Sequence, residues 1–304
     1  MRVLVTGATG FVGGALVPIL LAAGHEVRCL VRDRSRLRAP WRTHVEVVEG
    51  DVARAQHVLR AAVGTDTALY LVHGMEGTVR DLVARERALA AAFRDAVELA
   101  DVGRIVYLGS LVDEDALSTL SAHLYARHQT GIELAAGRVP VTELRAGIVL
   151  GAGGASLALL EAAARAPVAV QAPWSSTLTQ PIALDDLLAL LLAVLEDPAP
   201  APAGSVLEVG GPDVLTYAAL VERVRRVLGL GPRPRVRLPY LPPEAVAVTA
   251  AARAGIPVPL ALGLLPSALH RAVVVDPTQR ARYPWSGRTG VDAALADALG
   301  VAPR

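Results

Sequence analysis

Residues 1–14 read MRVLVTGATGFVGG, and they constrain the fold more than any other stretch of the chain. Arg2 to Val5 have the apolar, branched character of a short buried strand, and Thr6 opens a glycine-rich turn. Gly7, Gly10 and Gly13 then recur at every third position, while Phe11, Val12, Leu16, Ile19 and Leu20 switch to helical spacing. Each glycine has its own use in such a strand–turn–helix unit. Gly7 permits the tight turn off the strand, Gly10 lets backbone N–H groups approach a pyrophosphate, and Gly13 lets the helix pack close to the sheet. The helix N-terminus offers orphan N–H donors and a partial positive charge to the phosphates. Thr9, Phe11 and Val12, between these glycines, complete the expected contact set for a dinucleotide.

The same segment places Arg2 before an apolar stretch, as a secretory leader would. Three glycines, Pro18, Thr6 and Thr9 interrupt that stretch, so the leader reading is rejected. No apolar run approaches the roughly 18 residues of a membrane span, and the expected address is the cytoplasm. Charge is nearly balanced, 30 basic against 29 acidic residues, which removes the motive for a nucleic-acid or anionic-membrane partner. The expected partner is a small-molecule substrate; the sequence sets no oligomeric state and assigns no metal ligand. Cys29 is the single cysteine, so no internal disulfide can form, and its apolar strand context marks a core residue. All 30 basic residues are arginine, which excludes lysine-based chemistry.

Strand and helix patterns alternate through the first half. Strands are expected at Glu26–Val31, Val45–Val48, Ala68–Val72, Arg104–Leu108 and Val141–Leu144, and helices over Ala53–Ala62, Val79–Ala100 and His123–Ala136. Strands separated by helices imply parallel units with right-handed crossovers. The expected fold is α/β, a Rossmann-type doubly wound parallel sheet with a small C-terminal substrate-side lobe. Residues 1–150 would form the NAD(P)-binding core, and 151–304 the remaining core elements and the lobe. Further elements are expected at Val206–Val209 and Tyr217–Leu228, and the apolar piece Pro257–Leu265 reads as buried helix.

The strand ending at Val31 runs into Arg32, where such folds meet the adenosine ribose. A guanidinium there matches a 2′-phosphate, so NADP(H) is favoured over NAD(H), with Asp33 as the competing feature. Asp51 and Val52 follow the third strand, where a short polar turn reaches the adenine side. Val72, His73 and Gly74 follow the fourth strand, at the edge where ligands bind in such sheets.

The chain resembles the short-chain dehydrogenase/reductase superfamily, specifically its atypical, NmrA-like, NAD(P)H-binding branch. The resemblance rests on TGATGFVGG at 6–14, CLVRD at 29–33, GD at 50–51, YLVHGM at 70–75 and RIVYLGSL at 104–111. It continues through HLYARHQTG at 123–131, VPVTELRAGIVLGAGGAS at 139–156, QPIALDDLL at 180–188 and EVGGPDVLTY at 208–217. It implies a serine or threonine after the fifth strand, and a tyrosine with a lysine four residues later. Ser110 fits the first role. In the matching frame His123 stands at the tyrosine position and Arg127 at the lysine position, four apart on one helical face. Tyr125 is rotated about 200° from His123, and with Gln129 it forms the competing frame. The implied roles are Ser110 orienting the substrate, His123 (with a pKa near neutrality) or Tyr125 donating the proton, and Arg127 anchoring the nicotinamide ribose.

The function this implies is an NADPH-dependent reductase of a small to medium, apolar carbonyl or imine substrate. The alternative is a non-catalytic NADP(H)-binding redox sensor or accessory protein. Epimerase and dehydratase chemistry is disfavoured by the missing tyrosine–lysine pair. Trp174 is a candidate pocket residue, Asp185 and Asp186 read as backbone-orienting or capping residues, and Ser121 and His128 as exposed helix-end residues.

Overall fold

The computed structural model describes residues 1–37, 39–72, 81–197, 204–276, 282–283 and 287–302. Through the first half its elements are β1 (Arg2–Thr6), α1 (Phe11–Ala22), β2 (Glu26–Val31), β3 (Glu46–Glu49), α2 (Ala55–Ala62), β4 (Thr67–Tyr70), α3 (Leu82–Leu99), β5 (Arg104–Ser110), α4 (Ala122–Ala135) and β6 (Val141–Ala146). There follow β7 (Val149–Leu150), α5 (Ala155–Arg165), β8 (Ala169–Gln171), β9 (Leu178–Thr179), β10 (Ile182–Ala183), α6 (Leu184–Glu196), β11 (Ser205–Val209), β12 (Leu215–Thr216) and α7 (Tyr217–Val227). The described chain closes with β13 (Arg235–Arg237), α8 (Pro243–Ala254), α9 (Val258–Leu264) and α10 (Val291–Ala298).

Seven strands form the central sheet in the order β11-β6-β5-β4-β1-β2-β3, every pair parallel. A parallel sheet is covered on both faces, so its central strands are apolar at consecutive positions; Val3, Leu4 and Val5 are all fully buried. Leu16 and Leu20 of α1 and Leu187, Leu191 and Val194 of α6 cover one face. Phe93 and Val97 of α3 with Leu134 of α4 cover the other, where Tyr70 meets Phe93 edge-on at 4.8 Å between ring centroids.

The expected strands and helices of the first half are present, with shifted ends. α2 begins at Ala55 because Asp51 builds a turn first: its carboxylate accepts from the Ala53 amide at 2.9 Å, and its carbonyl from Arg54 at 3.0 Å. β4 ends at Tyr70, and Leu71 and Val72 continue outside the ladder. β5 and β6 run two residues longer than their patterns, because Gly109 and Ser110 stay in register with Arg145 and Ala146. The helix expected from Val79 is described from Leu82 onward.

The C-terminal part has smaller cores of its own, around Leu157, Leu160, Leu220 and Leu295 and around Leu159, Ala247 and Ala251. Gln180 stitches it to the sheet. Its side-chain amide donates to the Gly211 carbonyl at 2.7 Å, and its side-chain oxygen accepts from the Val274 amide at 3.0 Å. Pro257–Leu265 contains α9, of which Ala261 is fully buried. Among the described residues no helix is long and apolar enough to cross a membrane.

Candidate active site

The glycine turn at the carboxyl end of β1 is built as a cradle. Gly7 has φ of +80°, a left-handed conformation that disfavours any Cβ, and a Cβ there would stand 2.5 Å from the Leu71 carbonyl. A Cβ on Gly13 would run into the Gly7 carbonyl, so this position holds α1 against the turn. Gly10 donates to Gly7 O at 2.9 Å and is the N-cap of α1, with no side-chain capping bond. The amides of the first helical turn therefore remain available, where a serine or aspartate cap would have used one. Thr9 and Gly10 are exposed at the lip, Val12 is half-buried, and Phe11 turns toward Gly151 and Gly154. These features fit a dinucleotide pyrophosphate seated on the helix N-terminus.

Arg32 is exposed directly after β2. Asp33, its expected competitor, is committed to its own turn. Its carboxylate accepts from the Ser35 amide at 2.9 Å and the Ser35 hydroxyl at 2.6 Å, and Arg36 lies 3.6 Å away. The hydrogen bonds from Ser35 hold the Asp33 carboxyl below its usual range. Asp51 is exposed; its amide donates to the His57 ring at 3.0 Å. Val52 packs into the α2–α3 layer and is buried, which leaves its backbone as the part able to face a ligand. The Val72 carbonyl lies 3.5 Å from Nη1 of Arg127. His73 and Gly74 lie outside the described residues.

At the ends of β4 and β5 the structure brings together Ser110, His123 and Arg127, which line one cavity. The Ser121 hydroxyl caps α4 by accepting from the Leu124 amide at 3.3 Å, and this fixes the helix rotation. Residues 123 and 127 then share the inward face. Tyr125 is 36% exposed and does not line the cavity, so the competing Tyr125–Gln129 frame is not the one the fold turns inward. Arg127 is buried, with its guanidinium carbon 4.9 Å from the Tyr107 ring centroid, and the Tyr107 hydroxyl donates to the Arg127 carbonyl at 2.8 Å. Face-on stacking suits a planar guanidinium and holds the charge in place.

His123 departs from expectation. Burial, with the Arg127 charge as a second cause, pushes its pKa down to about 3, not near neutrality. It is a neutral imidazole at physiological pH, able to donate a hydrogen bond but not to act as an imidazolium acid. This has a consequence for stability. The unfolded chain binds a proton at this histidine below about pH 6.5 and the folded chain does not, so acid favours unfolding. Between pH 6.5 and 4.5 the cost is about 2–3 kcal/mol from this group alone, at 1.36 kcal/mol per pH unit. Urea melts at pH 7 and pH 4.5 should show a smaller acid loss for His123→Leu than for the wild type. An equal loss would place the acid sensitivity elsewhere.

Ser121 and His128 are not exposed ends. Ser121 is part-buried, its amide donating to the His270 ring at 3.0 Å, and His128 is buried beside Arg145. Arg145 meets Glu143 at 3.1 Å and Glu114 at 2.5 Å, which ties the segment after Ser110 back onto β6. Asp186 accepts from the Thr289 amide and hydroxyl at 2.8 and 3.0 Å, a backbone-orienting role, whereas Ala183 is the N-cap of α6.

The cavity has a volume of about 820 Å³ and runs from Phe11 past Ser110 into the C-terminal part. Trp174 lines it, its indole N–H donating to the Leu241 carbonyl at 2.8 Å. Much of its wall comes from α5 and α8, within the stretch expected to hold the substrate-side lobe, although no residue of either helix stood out in the sequence as a pocket residue. The available signal was small residues at helical spacing, such as Ala162 and Ala166, or Ala245 and Thr249.

Residues 7–139 match an NAD(P)H-binding family. A 3-beta-hydroxysteroid dehydrogenase of Mycolicibacterium neoaurum is 45% identical over 69 residues, 23% of this chain; the match spans only 18% of that relative. Among solved structures, an NADPH-dependent quinone oxidoreductase of Escherichia coli complexed with NADPH superposes with a TM-score of 0.74 at 19% identity, over 97% of this chain and 98% of that one. A Citrobacter triphenylmethane reductase complexed with NADP(H) does so with 0.72 at 18% identity, over 98% and 100%. At this identity the likeness establishes the fold, which a Staphylococcus aureus nucleoside-diphosphate-sugar epimerase shares.

Proposed function

We propose that this protein is an NADPH-dependent reductase of the atypical short-chain type, acting on an apolar carbonyl or imine compound. The observation that carries this reading is one cavity lined both by Phe11, at the edge of the glycine cradle, and by Ser110, His123 and Arg127. A non-catalytic sensor has no use for so large an apolar space beside those side chains, and its volume suits a small organic substrate. The nicotinamide, when bound, supplies hydride to the substrate, which leaves negative charge on its oxygen or nitrogen. The Ser110 hydroxyl and the neutral His123 ring donate hydrogen bonds to that atom, the permanent charge of Arg127 stabilises it, and a proton drawn from water completes the alcohol or amine. Arg127 also takes the lysine's place at the nicotinamide ribose.

Selectivity for NADPH rests on Arg32, because Asp33 is turned into its own hydrogen bonds. Arg32→Ala should weaken NADPH by about tenfold to a hundredfold, the usual worth of a charge-assisted contact to phosphate, and NADH by less than about threefold. Calorimetry with both cofactors reads this directly. Equal weakening of the two would remove Arg32 from the 2′-phosphate site. NADPH oxidation across panels of ketones, enones and imines tests the activity, and a protein that binds NADPH yet reduces none of them would be the sensor.

A further inference from the structure

Tyr217, the first residue of α7, lines the cavity but has no part in the chemistry of Ser110, His123 and Arg127. The Thr216 hydroxyl caps this helix by accepting from the Ala219 amide at 3.1 Å. The Tyr217 amide donates to the Thr177 carbonyl at 3.1 Å, and β12 pairs with β9, Leu215 opposite Thr179. The start of α7 is thereby held against β9, and Thr179 becomes the polar neighbour of the phenol. The Thr179 hydroxyl is fully buried, and among the described residues no hydrogen bond of ordinary geometry reaches it. Native interiors seldom leave such a group unpaired.

A short run of contacts joins this pair to the reactive wall. Ser110 is in register with Ala146, and Gly147 follows on the cavity lining. A Cβ on Gly147 would stand 2.5 Å from the carbonyl of Gln180, the residue after Thr179. Ala272, bridged to Thr179, lines the same cavity. Tyr217 is half-buried, yet burial pushes its phenol up to about 12. Its accessible part therefore opens on the cavity, and it stays a protonated donor at any working pH. Polar groups nearby in the wall are already engaged. The Trp174 indole donates to the Leu241 carbonyl, the Ser175 hydroxyl accepts from the Ala172 amide at 3.0 Å, and Glu222 pairs with Arg233 at 3.0 Å. The phenol faces a mostly apolar space, where a hydrogen bond to a ligand meets little competition from water.

We propose that Tyr217, backed by Thr179, determines specificity by binding a second oxygen of the substrate. The preferred substrate is then a neutral, apolar ketone that carries a hydroxyl or carbonyl apart from its reducible group. The reducible head rests on the reductase reading; the second-oxygen contact is testable by binding alone. The probes are 4-phenylcyclohexanone and its three hydroxyphenyl isomers, measured by calorimetry on the full chain. At least one isomer should bind about threefold to tenfold more tightly than the parent, the usual worth of one neutral hydrogen bond. In Tyr217→Phe that gain should vanish, while the parent ketone binds as before and the thermal melt is unchanged. No gain in the wild type, a gain that survives in Tyr217→Phe, equal weakening of the parent, or no binding of any probe overturns the proposal. NADPH oxidation with the same four ketones separates the two readings. If both hold, Tyr217→Phe raises KM for the favoured isomer and leaves kcat within about twofold. Isomer-selective binding with no NADPH oxidation removes the reductase reading alone. Reduction in which Tyr217→Phe leaves every KM unchanged removes the Tyr217 contact alone.

Discussion

Replacing Gly10 by valine is expected to lower NADPH affinity by at least about a hundredfold while leaving the fold intact. The backbone at Gly10 is extended, with φ of −85° and ψ of 174°, so any residue can adopt it. A Cβ there meets only the Gly7 carbonyl, at 3.1 Å, and the protein side of the position is otherwise open. The added methyl groups occupy the space above the first turn of α1, where the pyrophosphate would take its amide hydrogen bonds. Losing two charge-assisted bonds of about 1.5–3 kcal/mol each accounts for a hundredfold or more. Gly14→Ala is the control. Its Cβ would make an ordinary contact, 3.4 Å from the Ala8 carbonyl, and alanine improves helix propensity by up to about 1 kcal/mol. That variant should bind NADPH as the wild type does and melt no lower. Gly13→Val is a poor test, because its side chain collides with the turn itself and the domain would fail with the site. If Gly10→Val binds NADPH normally and melts normally, the pyrophosphate does not sit on this helix.

The cradle was legible in the sequence because each constraint on it is local. Gly7 needs a left-handed backbone and Gly13 a close approach, and both needs arise within a dozen residues of one strand–turn–helix unit. The alternation of strands and helices was legible for a similar reason, since burial on both faces leaves continuous apolar runs such as Val3 to Val5. Which face of α4 turns inward was half legible. Spacing showed that His123 and Tyr125 could not both face inward, but only the Ser121 cap and the packing of α4 decide between them. The state of His123 was not legible, because its depressed pKa comes from burial that no neighbour in sequence announces. The far end of the cavity was hidden for the same reason. Arg235 joins it through a pairing with Ala169, and nothing in the proline-rich stretch around it specifies that partner.

The charge of Arg127 carries the second large prediction. Arg127→Gln keeps a planar polar group over Tyr107 but removes a cation that lines the cavity together with Ser110 and His123. If that cation stabilises charge developing on the substrate, kcat/KM should fall by about 10²–10³-fold, the usual worth of one oxyanion-stabilising group. NADPH affinity should fall less, since the glycine cradle and Arg32 still hold the far half of the cofactor. Tyr125→Phe, which alters a side chain outside the cavity, should stay within about twofold of wild type; these limits lie far outside the scatter of initial-rate measurements. The pH profile distinguishes a catalytic charge from a structural one. A guanidinium does not titrate and His123 ionises only near pH 3, so the wild-type rate should be flat from about pH 5 to 8. Arg127→Lys should recover part of the activity at neutral pH and acquire a new alkaline limb, because a buried ammonium loses its proton below its ordinary pKa near 10.4. A glutamine variant that keeps full turnover would make Arg127 a packing partner of Tyr107 and nothing more. A fall in turnover with no alkaline limb in the lysine variant would mean that its geometry, not its charge, is what the reaction uses.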